Sequence, residues 1–102
     1  LLFFLLLSAA HAQPLDTRAL VRLVRQDCGS CHGMRLGGGL GTPLTREALA
    51  EKPVESFAAT ILYGRPGTAM AGYAKTWGGP LEPRDVDTLI AFLRAGPARH
   101  LR

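Results

Sequence analysis

The chain has 102 residues, 47% of them apolar, with twelve Lys and Arg against eight Asp and Glu for a formal charge of +4. A domain of that size is near the limit at which a hydrophobic core suffices alone, so a covalent link, a metal or a large cofactor is expected to help. Two cysteines exclude a disulfide-rich scaffold.

The chain opens on LLFFLLLSAAHAQ. The apolar run Leu1 to Leu7 leads into the small-x-small site Ala10-His11-Ala12, the pattern of a secretory signal and its cleavage site. The run is too short to cross a bilayer, which takes about 20 apolar residues. With no initiator Met and no basic leader, the start is expected to be truncated. Residues 1–12 are therefore assigned to a signal peptide and residues 13–102 to a single exported domain. The leader carries no Lys, Arg, Asp or Glu, so the whole +4 belongs to that domain. Such a charge favours an acidic partner. Export argues against nucleic acid, and no Lys/Arg cluster reads an anionic membrane. A monomer without stable membrane insertion is expected.

Asp16 to Cys28 reads as the first helix, with Asp16 as its cap. Leu20, Leu23, Val24 and Asp27 share one stripe, and Arg18, Arg22 and Arg25 another. GMRLGGGLGTPL, from Gly33 to Leu44, is too rich in glycine for regular structure and predicts a long loop. Thr45 to Lys52 predicts a short helix capped by Thr45. Pro53 suits the first position of the next, in which Phe57 and Ile61 lie one turn apart and Gly64 closes the end. The open segment RPGTAMAGYAKTWGGP comes next. The last helix starts at Pro83, carries Val86, Leu89, Ile90 and Leu93 on one face, and stops before Gly96-Pro97. No strand alternation is visible, so the domain is expected to be all-α, with three or four helices.

Chemistry concentrates in QDCGSCHG. Cys28, Cys31 and His32 stand at i, i+3 and i+4, which places all three on one helical face. Covalent haem attachment needs that geometry: two thiols reach two vinyl groups while the neighbouring imidazole meets the iron. The C-x-x-C-H spacing is its signature. A thioredoxin-like dithiol would stand at a helix start after a strand, whereas this pair comes after a helix. A zinc site needs four ligands, and the exported chain has two Cys and two His, with His100 far off in the tail. A disulfide across so short a loop would add little. None of the three uses His32.

The second axial position has few candidates. Met34, two residues after His32, is held on the same side of the ring. His100 would have to bring the tail across it. Met70 sits in the loop string TAMAG, among small residues that let backbone approach a ring closely, where a core-filling Met is unusual.

The order helix, CxxCH, glycine-rich loop, helix, Met loop and final helix resembles the small class I cytochromes c. VRQDCGSCHGMRLGGGLGTPLT and ATILYGRPGTAM resemble the NirC-type cytochromes associated with periplasmic nitrite reductase of the haem c plus haem d kind. The resemblance implies a cytochrome c-like fold around one covalent haem c on Cys28 and Cys31, with iron held by His32 and Met70. It implies a periplasmic electron-transfer protein rather than an enzyme, delivering electrons to nitrite reductase or another haem protein with an acidic docking face. A part in maturation of that enzyme's special haem is the alternative, and gas binding is another if Met70 is displaced. In such proteins a proline stands directly after the ligand Met, where this chain has Ala71, and a proline carbonyl two residues before a leucine accepts the imidazole proton. Here the run is Gly41-Thr42-Pro43-Leu44, which leaves Thr42 and Pro43 as alternative acceptors.

Other residues have lesser expectations. Tyr63, Tyr73 and Trp77 could stack near the ring, and Arg65 could pair with a propionate. Asp85 and Asp87 read as helix-start charges, not an acid/base pair. Arg35, Arg65 and Lys75 are expected to border the ring and steer the partner.

Overall fold

A computed structural model describes residues 15–101; the signal peptide expected at residues 1–12 lies outside them. Asp16 is extended, and its carboxylate accepts the Ala19 N–H at 2.8 Å. That cap starts α1 (Thr17–Leu23), which buries Leu20. The chain then widens into a π-helical turn, Val24–Cys28, before α2 (Gly29–His32) continues it. In the wide turn the Gly29 N–H reaches back five residues to the Val24 carbonyl. A Cβ on Gly29 would sit only 3.2 Å from that oxygen. The expected helix over 16–28 is therefore present and capped as expected, but it contains one extra residue and runs on to His32. Such turns are rare and frequent at functional sites.

Thr45 caps α3 (Arg46–Leu49), accepting the Ala48 N–H at 3.2 Å. This helix stops short of Lys52, because the residue before a proline is driven out of the helical region. Pro53 is the cap of α4 (Val54–Tyr63), not its first residue. Its ψ of 138° keeps it extended, while its carbonyl accepts the Phe57 N–H at 3.1 Å. Gly64 ends α4 with φ 74°, a conformation that favours glycine.

Pro83 opens α5 (Pro83–Arg94) as expected. Asp85 is buried, with one carboxylate oxygen accepting the Glu82 N–H at 2.9 Å, so it closes the helix start from inside. Asp87 remains exposed. Val86, Leu89, Ile90 and Leu93 are all buried, in one cluster with Phe57, Ile61 and Leu62 of α4 and with Leu20 and Val24 of the first helix. At the far end Arg94 donates to the Lys52 carbonyl at 2.6 Å, tying α5 to the α3–α4 corner. The tail folds back in a short turn, Pro97–Leu101, that buries Leu101. Among the described residues there is no strand, only one isolated bridge between Ala74 and Leu81. The all-α expectation holds, with α1–α2 as one helix and α3, α4 and α5 as three more. No described helix is long and apolar enough to cross a membrane.

Candidate haem site

Cys28, Cys31 and His32 end the first helix, at the wide turn and in α2. Cys28 is half-buried and packs on the core, while Cys31 is exposed; the two thiols are not joined to each other. Burial, with a smaller push from the Asp27 carboxylate, raises the Cys28 pKa to about 11. The neutral thiol keeps the S–H that adds across a vinyl double bond. Among the described residues no group of three or more His, Cys, Asp or Glu could hold a metal ion, so the zinc alternative has no ligand set.

His32 is oriented by the glycine-rich loop. Its Nδ1 lies 2.6 Å from the Thr42 carbonyl oxygen. A carbonyl can only accept, so Nδ1 carries the proton and Nε2 keeps its lone pair for a metal. Thr42, and not Pro43, is therefore the acceptor. The same loop returns N–H groups to the helix end: Gly38 to the His32 carbonyl at 2.8 Å and Gly41 to the Cys31 carbonyl at 2.7 Å. These satisfy acceptors that a helix terminus would otherwise leave to water. The closeness requires glycine. A Cβ on Gly41 would fall 2.8 Å from the imidazole Cε1 and Nδ1, so only hydrogen fits there.

Gly41→Ala should accordingly push the ring off its Thr42 contact, at a cost of about 1–3 kcal/mol for overpacking. The expected result is a lower yield of haem-loaded protein or a shifted reduction potential. Gly37→Ala, where a Cβ meets nothing within 4 Å, should change neither. Visible spectra and a potentiometric titration of the two variants check this.

Met70 lies apart from the attachment turn in sequence, half-buried in the loop between α4 and a short turn at Lys75–Trp77. Ile61 and Leu62 anchor the far side of that loop, their carbonyls accepting the Tyr73 and Ala74 N–H groups at 2.9 Å. Burial raises the Tyr73 phenol pKa, and the Asp27 carboxylate raises it further. Met34 points into solvent, 69% exposed. His100 lies on the tail turn with its ring 6.3 Å from that of Phe92.

Tyr63 and Trp77 pair with each other at 5.6 Å, both largely exposed. Lys75 pairs with Glu82 at 3.2 Å, a carboxylate that also takes Arg84 at 3.2 Å, so this exposed cluster keeps a net positive charge. Arg35 and Arg65 are exposed. Sequence reasoning passes over Thr68 and the cradle at Gly41. A threonine two residues from a Met in a Gly/Pro loop is a turn-forming signal that could have flagged the first.

The residues present thus fit a covalently held haem: two separate thiols and an imidazole with Nε2 available, all at the end of one helix. Comparison with known proteins agrees. A family model described as cytochrome c oxidase, cbb3-type, subunit III, matches residues 15–93. Cytochrome c55X of Stutzerimonas stutzeri is 51% identical over 94% of this chain and 80% of its own. Cytochrome c55X of Paracoccus denitrificans is 54% identical over 72% of this chain and 74% of its own. Among solved structures, the c-type cytochrome NirC superposes with a TM-score of 0.71 at 48% identity, over 82% of this chain and 98% of that one. A dihydro-heme d1 dehydrogenase, NirN, in complex with DHE, superposes with a TM-score of 0.63 at 38% identity, over 74% of this chain but 16% of that one. The chain belongs to this cytochrome c family, as a small cytochrome of the c55X and NirC type, and so carries covalent haem c with its iron and serves electron transfer rather than catalysis.

Proposed function

We propose that the mature domain, beginning at Gln13, works in the periplasm as a single-electron carrier for nitrite reductase of the haem c plus haem d kind. The observation that carries this is the end of the first helix, where Cys28 and Cys31 are followed by an imidazole whose Nδ1 is held by Thr42. Cys28 and Cys31 hold the macrocycle as thioethers, and His32 offers Nε2 to the iron. The Thr42 carbonyl fixes the ring and raises its basicity. Met70 would supply a thioether to the iron, a soft ligand that favours the ferrous state. Bound there, haem c supplies a ferrous/ferric couple. If His32 and Met70 both hold the iron, the chain would leave it no position for a substrate. Arg35 and Arg65, exposed in the two loops, would steer an acidic partner and raise the association rate more than the affinity.

Stopped-flow mixing of the reduced protein with purified nitrite reductase tests the proposal. The bimolecular rate should fall steeply as added salt shortens the Debye length from about 30 Å to about 8 Å. Arg65→Gln should flatten that dependence, and Lys75→Gln should do so too, since each removes one positive charge from the field that steers the partner. No transfer, or a salt-independent rate, would overturn the reading. The likeness to the dihydro-heme d1 dehydrogenase favours a second reading, that of a redox partner in maturation of the special haem. A parallel mixing experiment with that dehydrogenase separates the two by which partner reacts faster.

A further inference from the structure

We infer that the Thr68 hydroxyl is the clamp that holds Met70 in place where the stiffening proline is missing. The inference rests on Met70 as the axial ligand. The residue after Met70 is Ala71, so nothing in the covalent chain restricts the backbone there. The loop is closed instead by hydrogen bonds. Arg65-Pro66-Gly67-Thr68 makes a tight turn, with Gly67 at φ 78° and the Thr68 N–H donating to the Arg65 carbonyl at 3.1 Å. This matches the type II preference for proline second and glycine third. The Thr68 hydroxyl then acts twice. It donates to the Arg65 carbonyl at 2.7 Å and accepts the Met70 N–H at 3.2 Å. The Arg65 N–H reaches the Met70 carbonyl at 3.4 Å, so the two ends of the loop are laced together on both sides of the methionine.

The far end of the loop is pinned by packing. A Cβ on Gly72 would meet the Leu62 carbonyl oxygen at 2.9 Å and the Trp77 ring at 3.0 Å. The backbone two residues after Met70 is therefore pressed between α4 and the indole. The hydroxyl bonds directly to the methionine's own backbone, and Thr68 is exposed, so its contribution is to the loop and not to the core. Thr68 is a positioning residue. Without its bridge, Met70 should leave the iron more often and exogenous ligands should enter.

The test compares Thr68→Val, Thr68→Ala and Thr68→Ser holoproteins with Met70→Ala, reading the weak long-wavelength sulfur-to-iron absorption and the affinity of the ferric protein for imidazole. Losing the bridge should tighten imidazole binding by about tenfold in the Val and Ala variants, the scale of one or two net hydrogen bonds. The absorption band should weaken, while Thr68→Ser should behave as the parent. The exposed site makes folding of at least one variant secure, and thermal unfolding of the holoprotein should stay within a few degrees of the parent. If the Val and Ala variants keep both the band and the parent's imidazole affinity while Met70→Ala loses the band, the clamp is overturned and the ligand reading stands. If Met70→Ala keeps the band, the ligand reading itself has failed.

Discussion

A chain carrying Cys28→Ser and Cys31→Ser together should be recovered without covalent haem. Denaturing electrophoresis should show no haem stain, and the mass should equal that of the bare processed chain. The parent should keep its stain after acid-acetone extraction and weigh one haem more. A thioether forms when S–H adds across a vinyl group, and a serine hydroxyl is far too poor a nucleophile to replace it. Each single variant should retain one bond. The unreacted vinyl group then stays conjugated with the macrocycle, so its visible bands should shift to longer wavelength. Cys31 is exposed and Cys28 half-buried on the core, so Cys28→Ser should lower the thermal stability of the holoprotein more than Cys31→Ser. Extractable haem in the parent would remove the basis of every statement about the site.

The second large effect is at Met70. Met70→Ala should abolish the long-wavelength absorption and let the ferrous protein bind carbon monoxide. It should also lower the reduction potential by a sizeable part of the roughly 0.8 V range that axial ligands span. Loss of a soft thioether disfavours ferrous iron, which gives the sign. Met34→Ala should do none of this. Met34 stands two residues after His32 and lies 69% exposed, so it has no route across the ring. A band that disappears with Met34 and persists without Met70 would reverse the assignment of sides.

The attachment turn was legible because its signal is a spacing of reactive side chains: Cys28, Cys31 and His32 can be read without knowing any backbone angle. The α5 face was legible for a similar reason, since Val86, Leu89, Ile90 and Leu93 repeat at the helical period and all four are buried. The features that escaped were written in the backbone. The Thr42 carbonyl that orients His32 belongs to a group every residue carries, so composition could not choose it over Pro43. The wide turn at Val24–Cys28 escaped because Leu20 and Val24 sit four apart and look helical whichever way the next residues wind. Glu82 pairs with Lys75 from seven positions away through a fold-back that no local pattern announces. Pro53 caps α4 where the sequence suggests the first turn, because a proline suits both positions and only its ψ decides.

The wide turn also solves a problem of phase. An α-helix advances each residue by roughly 100°, so one added residue rotates everything beyond it by about that amount. Upstream, the first helix must aim Leu20 and Val24 at the core. Downstream, in the haem reading proposed above, the same rod must aim two sulfurs and an imidazole at a flat ring. A regular helix would lock those two bearings together, and improving one would spoil the other. The five-residue turn acts as a gearing between them: it lets the packing half and the chemical half be set independently on one continuous element. Removing a single residue from Val24–Cys28 would strip out that offset, so the helix could keep its seat or present its cysteines, but not both.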